Sequence, residues 1–340
     1  MHPVIRSLCL LAAIVALAGL AASPARALDT SRADVATFID EVAERHGFDR
    51  AEVERTLDDA ETQQPILDAI SRPAEKVKPW HEYRAIFLTP ERIEAGAAFW
   101  REHADEIERI GRETGVDPEV IVAIIGVETY FGRITGRYRV LDALATLAFD
   151  YPPRSPFFRR ELEQFLLLAR EERVDVDTAL GSYAGAMGAP QFMPSSYRAY
   201  AVDASADGLR DLWTDWSDVF GSVANYLKAH GWRAGEPVFA RATTGSAWTG
   251  EPAGDKGLDT DATIARLSAG GIVFSTELPG EAAARLLRME GEDGDQLWVG
   301  FHNFHVITRY NRSAMYALAV WQLGREIALA VGDGDGDAEA

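Results

Sequence analysis

The chain has 340 residues, 47% of them hydrophobic and 10% aromatic, enough to bury a substantial core in one large domain or in two to three interlocked ones. A formal charge of −19 gives a surface that repels phosphate backbones, which excludes nucleic acid as a partner. The single cysteine, Cys9, excludes a disulfide framework.

The first predicted element is a targeting segment. Arg6 precedes an apolar stretch from Leu8 to Leu20, and the small-residue site Ala25-Arg26-Ala27 follows, so residues 1–27 read as a cleavable signal peptide. The stretch is too short and wrongly flanked for a lasting membrane span. Cys9 lies inside it rather than at the cut, so neither a lipid-anchored N-terminus nor any thiol survives processing. The mature protein is expected to be exported, periplasmic and soluble. Loss of Arg6 and Arg26 moves its charge from −19 to −21.

Residues 28–115 predict a helical region. Thr30 or Ser31 opens a helix with apolar residues at Val35, Phe38, Ile39 and Val42 and a stop at Gly47; Thr89-Pro90-Glu91 opens another that runs to Gly115. A core region, 116–235, begins at Asp117-Pro118-Glu119, read as a cap, a first-turn proline and an early acid. The helix that follows is apolar nearly all round, which marks it as buried, and it ends in Gly126-Val127-Glu128-Thr129. No basic residue lies between Asp117 and Arg133, so the Glu128 carboxyl is expected to hold its proton to unusually high pH and to serve as a general acid. A solvent-facing helix end is the plain alternative, weakened by the flanking Tyr130, Phe131 and Gly132. Asp142 and Asp150 are the nearest other acids; Asp142 precedes Ala143-Leu144, where a helix cap is the commoner role.

After a helix from Pro156 to Glu172, the segment Gly181 to Pro194 mixes small residues with Ser182, Tyr183, Gln191 and Phe192. Such a stretch lets backbone approach a ligand closely, or simply packs two elements together. Asp203-Ala204-Ser205-Ala206-Asp207-Gly208-Leu209-Arg210-Asp211 has the EF-hand spacing, with oxygen ligands at Asp203, Ser205, Asp207 and Asp211, the Leu209 carbonyl, and glycine at the sixth place. The twelfth place, normally glutamate, is Thr214; an ion-free loop of Asx turns is the alternative. A helix from Ser217 to His230 follows. Residues 236–308 then change to short strand-like pieces (Val238 to Ala240, Thr263 to Ala265, Gly271 to Phe274, Gln296 to Val299) between glycine-rich turns, a small β insertion. A helix within 309–332, from Ser313 to Val331, is expected to stop at Gly332 and pack back on the helical region, and the acidic tail 333–340 is expected to be disordered. Walker, dinucleotide, zinc-protease and nucleophile-elbow motifs are absent.

Several segments together resemble the membrane-bound lytic murein transglycosylase B family: Gly126 to Thr129, Gly136 to Leu147, Gly181 to Ser196, Gly221 to Tyr226, Ala229 to Trp232 and Asn303 to Asn311. The resemblance implies a mainly α protein with a lysozyme-like core. It implies a lytic transglycosylase that cuts the β-1,4 bond between N-acetylmuramic acid and N-acetylglucosamine in peptidoglycan glycan strands, the muramyl 6-hydroxyl closing on C1 to leave a 1,6-anhydro end. A hydrolytic muramidase and a non-catalytic wall-binding scaffold are the alternatives. Glu128 falls on the family's catalytic glutamate; Ser182 and Gln191 on residues that bind sugar near the scissile bond; and Phe192, Tyr226, Asn303, Tyr310 and Tyr83 on groove residues. No cofactor is implied for the chemistry. The family's calcium loop is longer than an ordinary EF-hand, which would let Asp215 or Asp218 close a structural Ca2+ site. The chain departs from the family pattern at His305, where tyrosine is common, and at Pro153, where a second arginine is expected.

Overall fold

The strand pair nearest the N-terminus joins Arg26–Ala27 (β1) antiparallel to Glu61–Thr62 (β2). The computed structural model describes residues 26–71, 78–246, 248, 250 and 258–336. Most of the predicted signal segment, with Cys9, lies outside the described residues, as do the last four residues of the predicted tail. Between the two strands run helices α1 (Ala33–His46) and α2 (Arg50–Asp58). α1 buries the four apolar residues that define its stripe and ends at Gly47, whose φ of 64° is the left-handed conformation that stops helices.

Next come α3 (Gln64–Ser71), α4 (Trp80–Phe87), α5 (Pro90–Glu102) and α6 (Ala104–Thr114). The single long helix predicted from Thr89 to Gly115 is thus two, broken at His103, where φ −116° and ψ 22° leave the helical region. The start and stop are as expected: Thr89 caps α5 by accepting from the Arg92 N–H, and Gly115 ends α6 in the left-handed region.

α7 (Pro118–Thr129) is the centre of the molecule: every residue from Val120 to Gly126 is buried. Asp117 holds the N-cap position, but its side chain makes no capping bond, which corrects the predicted cap. It is instead a desolvated acid beside Glu119, and both effects raise its carboxyl to about 6. β3 (Tyr138–Arg139) leads into α8 (Val140–Asp150), a 3-10 turn over Pro152–Arg154 and α9 (Ser155–Glu172). The predicted Asp142 cap is also corrected. Arg139 occupies the N-cap of α8, while Asp142 is buried, ion-paired to Arg139 at 2.7 Å, and accepts from the Glu61 N–H and the Gln63 side-chain amide.

β4 (Leu180–Gly181) pairs with β3, and α10 (Pro194–Tyr200) and α11 (Trp216–Ala229) follow. The β insertion is a five-stranded antiparallel sheet built from β5 (Phe239–Thr244), β6 (Ala262–Thr263), β7 (Ile272–Val273), β8 (Ala283–Gly291) and β9 (Gly294–Gly300), in the order β6-β8-β9-β5-β7. Its helix α12 (Ile264–Ala269) replaces the strand expected through Ala265, and α13 (His302–Tyr310) takes up the last residues assigned to the β region. The final helix, α14 (Ala314–Gly336), continues past the predicted stop at Gly332. It lies against α7 so closely that a Cβ on Gly324 would stand 2.6 Å from the Glu119 carbonyl oxygen. Among the described residues no helix is long and apolar enough to cross a membrane.

Candidate active site

Glu128 sits near the end of α7, after a run that is buried from Val120 to Gly126. Its side chain lies deep among protein atoms yet keeps a partly exposed face. The carboxyl is therefore desolvated without being sealed from a ligand. Burial pushes it up from its ordinary 4.5 to about 7, while a hydrogen bond donated by the Tyr316 hydroxyl to Oε1, at 2.6 Å, pulls the other way.

Tyrosines surround the acid. Burial and the neighbouring Glu128 carboxylate hold the Tyr310 and Tyr316 hydroxyls well above the ordinary phenol range, so both are donors at any physiological pH. Tyr83 lies close enough to Tyr316 to add to that effect, and its ring packs on Phe87 at 5.3 Å and Trp80 at 6.3 Å. Tyr310 donates to the Pro190 carbonyl at 2.7 Å and Tyr226 to the Arg309 carbonyl at 2.6 Å. The Phe192 ring lies 5.6 Å from that of Tyr226 and 5.8 Å from that of Tyr310. These three predicted residues are brought together, but Phe192 is 2% exposed and Tyr226 9%, so they are core residues, while Tyr310 and Tyr83 keep exposed edges.

Immediately after Glu128 the backbone enters an unusual run: Tyr130, Phe131 and Gly132 all have left-handed φ, 52°, 59° and 77°. Each such non-glycine residue costs on the order of 1–3 kcal/mol and persists only where its surroundings impose it. Thr129 supplies part of that constraint. Its buried hydroxyl donates to the Ala189 carbonyl at 2.8 Å and accepts from the Gly132 N–H at 3.0 Å, tying the end of α7 to the loop of Ser182 and Gln191. The Arg92 guanidinium stacks on Tyr130 at 4.8 Å and secures the other side.

In that loop, Gln191 itself is left-handed, with φ 54°, and its Nε2 donates to the carbonyls of Thr135 and Gly188, both at 3.0 Å. Ser182 Oγ accepts from the N–H groups of Ala186 and Ala184 at 3.0 and 3.3 Å. Both side chains hold the loop with one part of their hydrogen-bonding capacity and keep the rest.

Asn303 is not a groove residue. It is fully buried, its Oδ1 accepts from the Arg233 N–H, and its Nδ2 donates to the carbonyls of Arg233 and Glu236. The amide is spent on fastening α13 to the turn after α11. Asp150 is likewise occupied elsewhere, in an ion pair with Arg32 at 2.7 Å, and Asp142 in its pair with Arg139. Both carboxylates are thus committed to arginines. His305 has its Nδ1 3.0 Å from the Leu258 carbonyl oxygen, and Pro153 lies in the 3-10 turn whose Arg154 stacks on Phe157. Tyr316, the direct partner of Glu128, was not singled out by the sequence, and Thr129 appeared there only as part of the Gly126–Thr129 segment.

The predicted cation loop is a hard-oxygen donor set folded onto itself. Asp203 accepts from the N–H groups of Asp207 and Gly208 and from Ser205 Oγ, Asp207 accepts from the Leu209 N–H, and Gly208 takes the φ of 95° that the tight turn requires. Asp218, 1% exposed, accepts from the N–H groups of Ala204, Ser205 and Asp211 and so pins both arms of the loop to α11. Asp211 accepts from Trp213 and Thr214. Among the described residues, no three acidic or imidazole side chains already converge on a single point. The oxygen chemistry fits a hard cation, with the carboxylates needing to turn inward to hold it.

Residues 30–325 match the family described as Transglycosylase SLT domain. The chain is 46% identical over 302 residues to membrane-bound lytic murein transglycosylase B of Escherichia coli K12, covering 86% of this chain and 82% of that protein. Among solved structures, soluble lytic transglycosylase SltB1 of Pseudomonas aeruginosa in its catenated form is 51% identical with a TM-score of 0.82, over 88% of this chain and 98% of that one. The Escherichia coli lytic transglycosylase Slt35 in complex with calcium is 42% identical with a TM-score of 0.81, over 90% and 96%. The mainly α fold with its small sheet is that of these enzymes. A core helix that ends in one desolvated glutamate, matched over nearly its whole length to enzymes of the murein wall, belongs to the Transglycosylase SLT domain family: the chain is a peptidoglycan lytic transglycosylase.

Proposed function

We propose that Glu128 acts alone, first as acid and then as base, at the bond between N-acetylmuramic acid and N-acetylglucosamine. The observation that carries this reading is a carboxyl raised to about 7 by burial, with Asp142 and Asp150 both engaged in ion pairs elsewhere. Ordinary glycosidases flank the bond with two carboxylates roughly 5 to 9.5 Å apart. Here a hydroxyl already tethered to the substrate takes the place of a nucleophile, and its proximity supplies what a second acid would have done.

Because Tyr316 donates to Oε1, the proton of the neutral acid sits on Oε2. That proton passes to the glycosidic oxygen as the bond to C1 breaks. The Glu128 carboxylate so formed takes the proton from the muramyl 6-hydroxyl as its oxygen closes on C1, which restores the acid and leaves the 1,6-anhydro end. Ser182, with its hydroxyl hydrogen, and Gln191, with its amide oxygen, suit the sugar's polar groups, and Tyr310 and Tyr83 offer apolar faces with hydroxyl tips.

The same reading includes export to the periplasm by residues 1–27. It also includes a structural Ca2+ held by Asp203, Ser205, Asp207, the Leu209 carbonyl, Asp211 and Asp218, which would stiffen the approach to α11. The deciding experiment is mass analysis of muropeptides released from purified sacculi. Products lighter by one water than reducing ends are expected, together with a loss of at least about a hundredfold in rate for Glu128→Gln. Reducing ends alone would reject the lyase reading in favour of a hydrolase.

A further inference from the structure

Away from Glu128, the chain forms a depression of about 460 Å³ between the end of α9, the β4 strand and the loop before α11. Its floor includes Trp213, whose Nε1 donates to the Leu180 carbonyl at 3.0 Å and whose ring packs at 5.8 Å from Tyr197. With its N–H already bonded, the indole offers the opening an apolar face and no polar edge. Thr178 supplies a hydroxyl oxygen, and the charged lining is mixed, with Glu172, Asp175 and Asp211 against Arg173 and Arg210 and the Arg210–Glu172 pair already closed. An ordered aromatic plate ringed by hydroxyl and carboxylate oxygens suits a neutral sugar ring.

The rim points the same way. Six large apolar side chains are exposed among the described residues, and three of them, Ile134 (69%), Leu180 (43%) and Tyr183 (40%), fall on the two segments that border this depression. Those segments touch: at Gly136, with φ 113°, an added Cβ would stand 1.9 Å from the Gly181 carbonyl oxygen. Leu180 lines the depression itself, and exposed apolar surface gathered beside an opening marks a binding surface.

This depression adjoins the loop of Ser182 and Gln191. Thr135 lines the depression while its carbonyl accepts from Gln191, and Leu180 lines it two residues before Ser182. A polymer leaving the site over the Ser182 loop passes the Thr135 and Leu180 segments that line the depression. We infer that the depression is a distal subsite that seats an N-acetylhexosamine ring of the same glycan strand, several units from the bond being cut. This inference rests on the substrate being such a strand, and the tight Gly136–Gly181 contact makes the subsite part of the same rigid loop that carries Ser182.

The test is binding by the full chain carrying Glu128→Gln, with and without Thr178→Trp, which fills the depression from an exposed position. The probes are long uncross-linked glycan strands and a tetrasaccharide of the same repeat. Thr178→Trp is expected to weaken long-strand binding about tenfold, the loss of roughly one good aromatic contact, and to leave the tetrasaccharide unchanged. Trp213→Phe, which keeps a ring, should weaken it less. Equal long-strand affinity in all three proteins overturns the subsite; so does a matching loss with the tetrasaccharide, which would place Thr178 in the cleft itself. Product mass separates this from the catalytic reading, since reducing ends would refute the lyase step and leave the binding comparison intact.

Discussion

At the scale of single residues, the chemistry turns on how one carboxyl is desolvated. Folding raises Glu128 from 4.5 to about 7, so the folded protein binds a proton that the unfolded chain releases earlier. This contribution to stability is complete below pH 4.5 and is lost as pH rises through 7. The native acid is therefore a liability at pH 8, on the order of 3 kcal/mol, and Glu128→Gln should melt a few degrees above the unmodified protein there, with the gap closing by pH 4.5. A constant gap across that range, followed by calorimetry, would place the carboxyl in water. Tyr316→Phe tests the partner. The hydroxyl's bond favours the ionised carboxylate, so its removal raises Glu128 above 7 and moves the alkaline limb of the rate profile upward, with kcat reduced because the proton is no longer directed to Oε2. A profile unchanged in position would show that Tyr316 does not act on the acid.

At the scale of elements, the sequence was most legible where one period ruled. α7 was plain because nothing polar interrupts Val120 to Gly126, and α1 because its stripe and its stop agree. β8 shows the opposite: Ala283 to Gly291 is rich in Ala, Leu, Arg, Met and Glu, all helix formers, and it is a strand because its register with β9 runs unbroken from Arg285 to Gly291. Tertiary pairing overrode propensity there, and no local signal revealed it. The break between α5 and α6 was hidden for a related reason, since nothing around His103 is a helix breaker and the chain bends to bring Phe99 and His103 against Trp216 and Phe220. Asn303 was misread because a buried staple and a sugar ligand use the same amide. Tyr316 was missed because its partner lies 188 positions away, a distance at which no spacing rule operates. The packing of α14 on α7 brings them together, and Gly324 permits it. Gly324→Ala is expected to cost about 2 kcal/mol and to lower kcat more than it raises KM, because the helix that carries Tyr316 must shift off Glu119. A destabilised variant with full kcat would mean that the site tolerates the displacement.

For the molecule as a whole, the opposing demands are a strained, desolvated site and a net charge of −19 that repels itself. The loop from Asp203 to Asp211 is where these meet, because it carries three acids within nine residues while Asp218 pins it to α11 and the Ala204 carbonyl accepts from Arg109 of α6. A divalent cation there would neutralise part of the negative charge and lock α6 and α11, which pack against α7. Thr214 stands at the usual twelfth place and Asp218 is the proposed closing ligand beyond it, so affinity should fall in the weak range, a Kd of about 10⁻⁴ M or above. At 10 mM Ca2+, up to about a hundredfold excess, linkage gives stabilisation of at most about 2.7 kcal/mol. The melting temperature should therefore rise by several degrees from chelator to Ca2+, less with Mg2+, which demands octahedral geometry, and not at all in Asp203→Asn with Asp207→Asn. The rate on sacculi well below the melting transition should change little, since Glu128 needs the loop only for support. A melting temperature indifferent to Ca2+ would leave the loop as an Asx-turn clasp, closed by its own amides.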